Sequence, residues 1–301
     1  LNKTVLFICG PTAIGKTAVA IKLAEHFSTD ILSFDSRQFY KELEIGAAPP
    51  SPAELARAKH HFVGHLSLIE DDTLSAGGFE KKALERIDQV FKKQDILIAV
   101  GGSGLYMSAL REGFDELPKV DQHTRQALKE QLQKEGLESL SAELQEKDPS
   151  YAEQADLNNP QRVVRALEII HQTGKPFSVF RKGDKAKRSF NSVLIGLEMD
   201  RAKLYDRINQ RVDLMITAGL EDEAKSLYPY RDKNALQTVG YKEWWSYFEG
   251  NTTKQQVIDE IKKNSRRYAK RQLTWFKNQE TMPWFEPTQL DEILLHIKRV
   301  I

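Results

Sequence analysis

Apolar positions set out the elements before any motif is considered. Thr4–Cys9 is an unbroken apolar, β-branched run of the kind buried on both faces of a parallel sheet, and Gly10-Pro11 stop it. A helical pattern starts near Lys16, with Val19, Leu23 and Phe27 on one face. Residues 31–34 read as a second short strand, closed by Asp35. Residues 79–93 read as an amphipathic helix carrying Phe79, Ala83, Leu84, Ile87, Val90 and Phe91. Residues 96–100 are a third strand that runs into Gly101-Gly102. Alternating strands and helices predict a doubly wound α/β core, with ligands at the carboxyl ends of the strands.

The pattern changes after Arg111. Residues 121–172 read as helices with polar joints, and residues 192–199 return to strand. This divides the chain into an α/β core with a helical C-terminal part, residues 1–111 and 189–301, and a helical insertion domain, residues 112–188. Further helices are predicted at about 200–228, at 253–279 and from about 288 onward.

Composition narrows the class. Of 301 residues, 40% are apolar and 29% charged, as expected of a soluble globular protein. No apolar run approaches the roughly 20 residues that cross a bilayer, so a cytoplasmic protein without a membrane partner is expected. Cys9 is the only cysteine, which excludes an intrachain disulfide and a cysteine-based zinc set. The net charge of +1 conceals segregation. Residues 112–156 carry 12 acids and 5 bases, residues 162–188 carry 8 bases and 2 acids, and residues 261–279 carry 7 bases and no acid. The two basic stretches suit a polyanion.

Gly10, Pro11, Thr12, Ala13, Ile14, Gly15, Lys16 and Thr17 fit G-x-x-x-x-G-K-[ST] between a strand and a helix, the context that motif requires. Loop amides and a helix N-terminus would hold phosphate, Lys16 adds a full charge, and Thr17 can hold magnesium. The motif specifies a di- or triphosphate rather than a nucleotide. A motor ATPase or switch GTPase usually closes a later strand with an acid; here the strand at 96–100 meets glycines. Asp35 should lie near the loop, on the same sheet edge. It suits magnesium ligation or proton acceptance, and a turn or cap aspartate is the plain alternative.

At these residues the sequence resembles the tRNA dimethylallyltransferases. GPTAIGKT at 10–17, SFDSRQFYKELEIGAAPP at 33–50, HHF at 60–62 and GGSGLY at 101–106 carry the likeness. So do NPQRVVRALEI at 159–169, QRVDLMITAGLEDE at 210–223, QTVGYKE at 237–243 and RRYAKRQLTWFK at 266–277. The motifs run in order over nearly the whole chain. Ser103 stands where threonine is common in the family, and the hydroxyl is kept.

The resemblance implies a P-loop NTPase-like core and transfer of a dimethylallyl group from dimethylallyl diphosphate to tRNA. The acceptor would be the exocyclic amine of the adenosine just 3′ of the anticodon, with pyrophosphate leaving. The phosphate loop would then cradle the leaving group, aided by Lys16, Thr17-bound Mg2+ and, by resemblance, Arg211. From sequence alone Arg211 reads as a surface helix arginine. Asp35 is assigned as general base. The target adenine would be flipped out of the anticodon stem-loop to be reached. By resemblance Asp35, Ser36, Arg37, Gln38 and Ser103 would face it and its neighbours. Gln161, Arg162, Val163, Val164 and Arg165, with the helix around Lys270 and Arg271, would face the RNA. A monomer is expected.

Three further patterns bear on the RNA and metal readings. Ile261, Tyr268 and Trp275 recur every seven residues, a core stripe rather than a base-stacking platform. Lys262, Arg266 and Lys270, and likewise Lys263, Arg267 and Arg271, run at i, i+4 spacing in the acid-free helix, which points to RNA backbone contact. His60, His61 and His65 lack a completing ligand and read as structural. Two rival activities remain on the same motifs: prenyl transfer to free adenine nucleotides, and an ATP-dependent small-molecule kinase.

Overall fold

The computed structural model describes residues 2–70, 73–115, 117–181, 183 and 185–301. Glu116 of the acidic stretch and Lys182 and Asp184 of the basic one lie outside the described residues. The chain forms two compact units, residues 1–112 with 187–301, and residues 113–186.

The first unit opens with β1 (Thr4–Cys9), α1 (Lys16–Phe27), β2 (Ile31–Ser33), α2 (Pro52–Arg57) and β3 (His60–His61). It continues through α3 (Ala76–Val90), β4 (Ile96–Gly101) and α4 (Gly104–Glu112). The second unit is helical, with α5 (Gln122–Lys147, kinked at Gly136), α6 (Pro149–Ala152) and α7 (Pro160–Thr173). The first unit resumes with β5 (Asn191–Leu197), α8 (Arg201–Thr217), α9 (Leu220–Leu227), α10 (Trp245–Phe248), α11 (Lys254–Gln279), β6 (Trp284–Phe285) and α12 (Leu290–Val300).

All strand pairs are parallel, in the order β3-β2-β4-β1-β5-β6. β1 is therefore central, and the chain leaves it by crossing over β4 to reach β2. Such a switch point opens a crevice at the carboxyl end of β1, where the loop 10–17 sits. β1 is buried at every position because both faces are covered. Val5, Phe7 and Cys9 pack in one core with Phe79, Ile87, Met107 and Phe276. Leu6 and Ile8 pack in the other with Val19, Leu23, Leu204 and Ile293. A third core joins the C-terminal helices around Val212, Leu236, Tyr241, Trp244 and Ile261. The second unit has its own core, built on Leu128, Leu140, Val163, Leu167 and Ile170.

Boundaries depart from expectation for local reasons. The second strand ends at Ser33, because Asp35 already accepts the Arg37 N–H in a turn (3.2 Å). The helix expected from 79 starts at Ala76, where the Ser75 hydroxyl caps the Gly78 amide. The span 200–228 is two helices, α8 and α9, separated at 218–219. The two-residue edge strands β3 and β6 were not expected, since two residues carry no periodicity. Among the described residues no helix is long and apolar enough to cross a membrane.

Candidate active site

The loop 10–17 takes its shape from backbone positions that a side chain would block. Gly10 has φ +148°, and a Cβ there would meet the Leu197 carbonyl oxygen at 2.7 Å. Gly15, at φ +106°, is the N-cap of α1 and offers no side chain in place of a ligand. The Ile14 side chain is fully buried in the core, so this residue anchors the loop. Lys16 Nζ donates to the Pro11 carbonyl (2.7 Å) and so curls back over the loop.

Above the loop lies a cavity of about 480 Å³, and all of its lining comes from the first unit. Lys16, Thr17, Asp35, Arg207, Arg211 and Tyr268 contribute to it. Asp35 is the only carboxylate among the described lining residues, against the cations Lys16, Arg37, Arg207 and Arg211. A pocket with that imbalance suits a polyanionic ligand. Burial draws the Lys16 ammonium down to about 8, against an upward pull from the Asp35 charge. Burial likewise lowers Arg211, and Asp35 again opposes it. Tyr268 is pushed up to about 12, first by burial and then by the Asp35 charge.

The predicted residues divide between the two units. Thr12, Ala13, Gly15, Lys16, Thr17, Asp35, Arg37, Gln38 and Arg211 share this cavity. Arg211, on α8, reaches Thr12 Oγ1 (3.3 Å), so the surface position read from sequence alone gives way to a half-buried one in the cavity wall. Ser103 is one step removed: its hydroxyl accepts the Ser36 N–H (3.4 Å). Gln161, Arg162, Val163, Val164 and Arg165 stand on α7 of the second unit. There Gln161 and Arg162 are exposed and Arg165 pairs with Glu168 (2.7 Å). Val163 is fully buried in that unit's core, which corrects its assignment to an RNA surface: the apolar side chain holds the helix instead.

α11 is more mixed than a solvated basic face. Lys262 pairs with Asp213 and Lys263 with Glu260 (both 2.6 Å), and Arg266 donates to Asn209 (2.6 Å). Arg267, Lys270 and Arg271 are exposed, with the Arg271 guanidinium 5.8 Å from the Tyr268 ring centre. Of the expected core stripe, Ile261 and Trp275 pack in apolar cores, whereas Tyr268 lines the cavity that Ile261 also borders. His61 bonds Asp30 (2.8 Å) and His60 Nδ1 meets the Ala58 carbonyl (2.8 Å).

Several site residues escaped the sequence reading. Arg207 donates to the Ala13 carbonyl (3.0 Å), and its position one helical turn before Arg211 is a signal that could have found it. The segment 46–48 lines the cavity, and Glu223 latches it. That carboxylate accepts the Ile45 N–H (2.7 Å), the Gly46 N–H (3.0 Å) and the buried Tyr241 hydroxyl (2.6 Å). No local pattern announces a contact across 178 residues. Glu223→Ala would strand these donors, and the unfolding free energy is expected to drop by about 2 kcal/mol in urea titrations. An unchanged midpoint and slope would refute the latch.

Fold and cavity together define a P-loop α/β protein with a cation-lined pocket beside the loop 10–17. A model of the IPP transferase family matches residues 38–279, and the chain belongs to that family. That match begins past the phosphate loop. A tRNA dimethylallyltransferase of Christiangramia forsetii is 51% identical over 286 residues, 95% of this chain and 94% of the relative. Another, from Flavobacterium psychrophilum, is 49% identical and covers 93% of this chain and 92% of its own. The crystal structure of the Bacillus halodurans tRNA isopentenylpyrophosphate transferase matches with a TM-score of 0.73 and 37% identity, over 99% of this chain and 96% of that one. A eukaryotic dimethylallyltransferase acting on tRNA matches with a TM-score of 0.80 and 26% identity, over 96% and 75% of the two chains.

Proposed function

We propose that this protein is a tRNA dimethylallyltransferase. It moves a dimethylallyl group from dimethylallyl diphosphate to the exocyclic amine of the adenosine 3′-adjacent to the anticodon. The carrying observation is the single carboxylate, Asp35, set among cations in one cavity at the phosphate loop. In the transfer, a bond forms between the amine nitrogen and the allylic carbon as the carbon–oxygen bond breaks. The electron pair leaves with pyrophosphate, and the amine proton passes to the Asp35 carboxylate. Lys16, Arg207, Arg211 and the loop amides meet the charge that grows on the leaving group.

Magnesium is the cation assigned to this site. The Thr17 hydroxyl lines the cavity beside Lys16 and offers a hard oxygen donor of the kind such an ion takes. Bound there, it would neutralise pyrophosphate charge. The exposed Arg267, Lys270 and Arg271 on α11, with Gln161 and Arg162 on α7, are read as contacts to the anticodon stem-loop. The exposed Arg162, Arg267, Lys270 and Arg271 favour tRNA over free adenine nucleotides. A kinase reading is disfavoured at the end of β4, since a side chain at 101 would collide with the Phe34 ring, so the strand cannot close on an acid there. We read the protein as a monomer that acts in the cytoplasm with its tRNA.

The test is transfer of radiolabel from dimethylallyl diphosphate, with magnesium, into an anticodon stem-loop with adenines 3′ of the anticodon, or into AMP and ADP. Label in the stem-loop alone is expected. Label in the nucleotides would reassign the protein to a free-nucleotide prenyltransferase. Label in neither, with ATP consumed against a small acceptor, would make it a kinase.

A further inference from the structure

Gln272 is the one polar residue among the buried positions of α11, between Ala269 and Phe276, and it is only 7% exposed. A buried amide must find partners, and both of its ends do. Oε1 accepts the Thr12 N–H (2.8 Å) and Nε2 donates to the Gly102 carbonyl (2.9 Å). The partners leave the amide no choice of orientation, since one is an obligate donor and the other an obligate acceptor. Gly102 is bare because a Cβ there would occupy the place of Nε2. Gln272 therefore ties the phosphate loop after β1 to the end of β4, the two segments that flank the crevice.

That tie reaches the chemistry through Thr12. Its N–H is committed to Gln272, while its Oγ1 receives Arg211 Nη1 (3.3 Å). Thr12 and Arg211 line the cavity, as does Gln272. We infer that Gln272 is a positioning residue for the diphosphate: its amide fixes Thr12 against Gly102, and through Thr12 it sets where the Arg211 guanidinium stands. This rests on the reading of the cavity as a diphosphate site. Released from the clasp, the Thr12 N–H and Gly102 carbonyl would be unpaired, and the loop would lose its preset form.

Gln272→Met keeps length and bulk and removes both bonds, whereas Gln272→Asn keeps the amide but is one methylene too short to span both partners. Magnesium pyrophosphate is the probe, by calorimetry on the intact protein, with a stem-loop as control ligand. For the Met variant the pyrophosphate Kd is expected to rise by about tenfold or more, the magnitude of one to two lost hydrogen bonds. The stem-loop Kd should stay within about twofold. The Asn variant should fall between Met and wild type.

A double-mutant cycle separates positioning from general loosening. On an Arg211→Ala background, Gln272→Met should weaken pyrophosphate by clearly less than it does alone. Additive losses would overturn the proposal, as would an unchanged pyrophosphate Kd or equal weakening of both ligands. If the Met variant does not fold, the Asn variant carries the same cycle. Wild type that binds pyrophosphate but transfers no label would sink the assigned reaction and leave Gln272 judged by its Kd.

Discussion

Asp35→Asn should slow the single-turnover transfer by about 10² to 10⁴-fold, the span general base catalysis contributes, with stem-loop affinity nearly unchanged. The substitution is chosen for what it keeps. Asp35 Oδ1 accepts the Arg37 N–H at 3.2 Å, and the asparagine carbonyl can accept the same bond, so the turn at 35–37 survives. What goes is the charge and the capacity to take a proton. A second readout follows from the electrostatics. The Asp35 charge holds the Lys16 pKa up against burial. Without it Lys16 should lose its proton at lower pH, and the alkaline limb of diphosphate binding should move to lower pH. Equal single-turnover rates at saturating substrates would remove Asp35 from the chemistry. A rate loss with no shift of the limb would separate base catalysis from the charge coupling.

The parts of this fold written in the sequence are those governed by short-range rules. β1, α1 and β4 follow from continuous apolar runs, glycine stops and a 3.6-residue period, and the phosphate loop from its own spacing. Asp35 was legible because it closely follows a strand, and parallel strands deliver their ends to one edge. Arg211 was not, since a helix arginine names no partner; its contact with Thr12 depends on α8 packing beside β1. Gln272 illustrates a signal present but unread, a polar residue on an apolar helical stripe, where burial demands partners. Glu223 had no such signal, because its partners at 45, 46 and 241 become neighbours only when the third core closes. Val163 erred in the other direction. It lay inside an informative motif, yet the helix turns it inward while Gln161 and Arg162 face out.

Lys16→Met is expected to cut kcat/KM for dimethylallyl diphosphate by about 10² to 10³-fold, the usual cost of deleting one preorganised group that meets developing negative charge. The pH dependence of the unaltered protein gives the argument an independent check. In the ligand-free site burial lowers Lys16 to about 8. A bound diphosphate favours the ammonium, so binding should be tightest below about pH 8 and weaken as the proton is lost above it. In the Met variant this limb should vanish and leave a flat, weak affinity. Stability should move the other way. A lysine lowered from 10.5 to about 8 holds fewer protons folded than unfolded between those values, so its contribution to stability rises with pH across that window. Below about pH 8 the folded protein carries a buried charge at a cost, which the methionine relieves. The ligand-free variant should therefore melt higher than wild type at pH 7, and the difference should shrink toward pH 10. A lower melting temperature at pH 7 together with a retained alkaline limb would show that Lys16 is not the group that tunes this site. The expected pair, a gain in stability with a loss of binding, would mean that the charge is kept for the diphosphate alone.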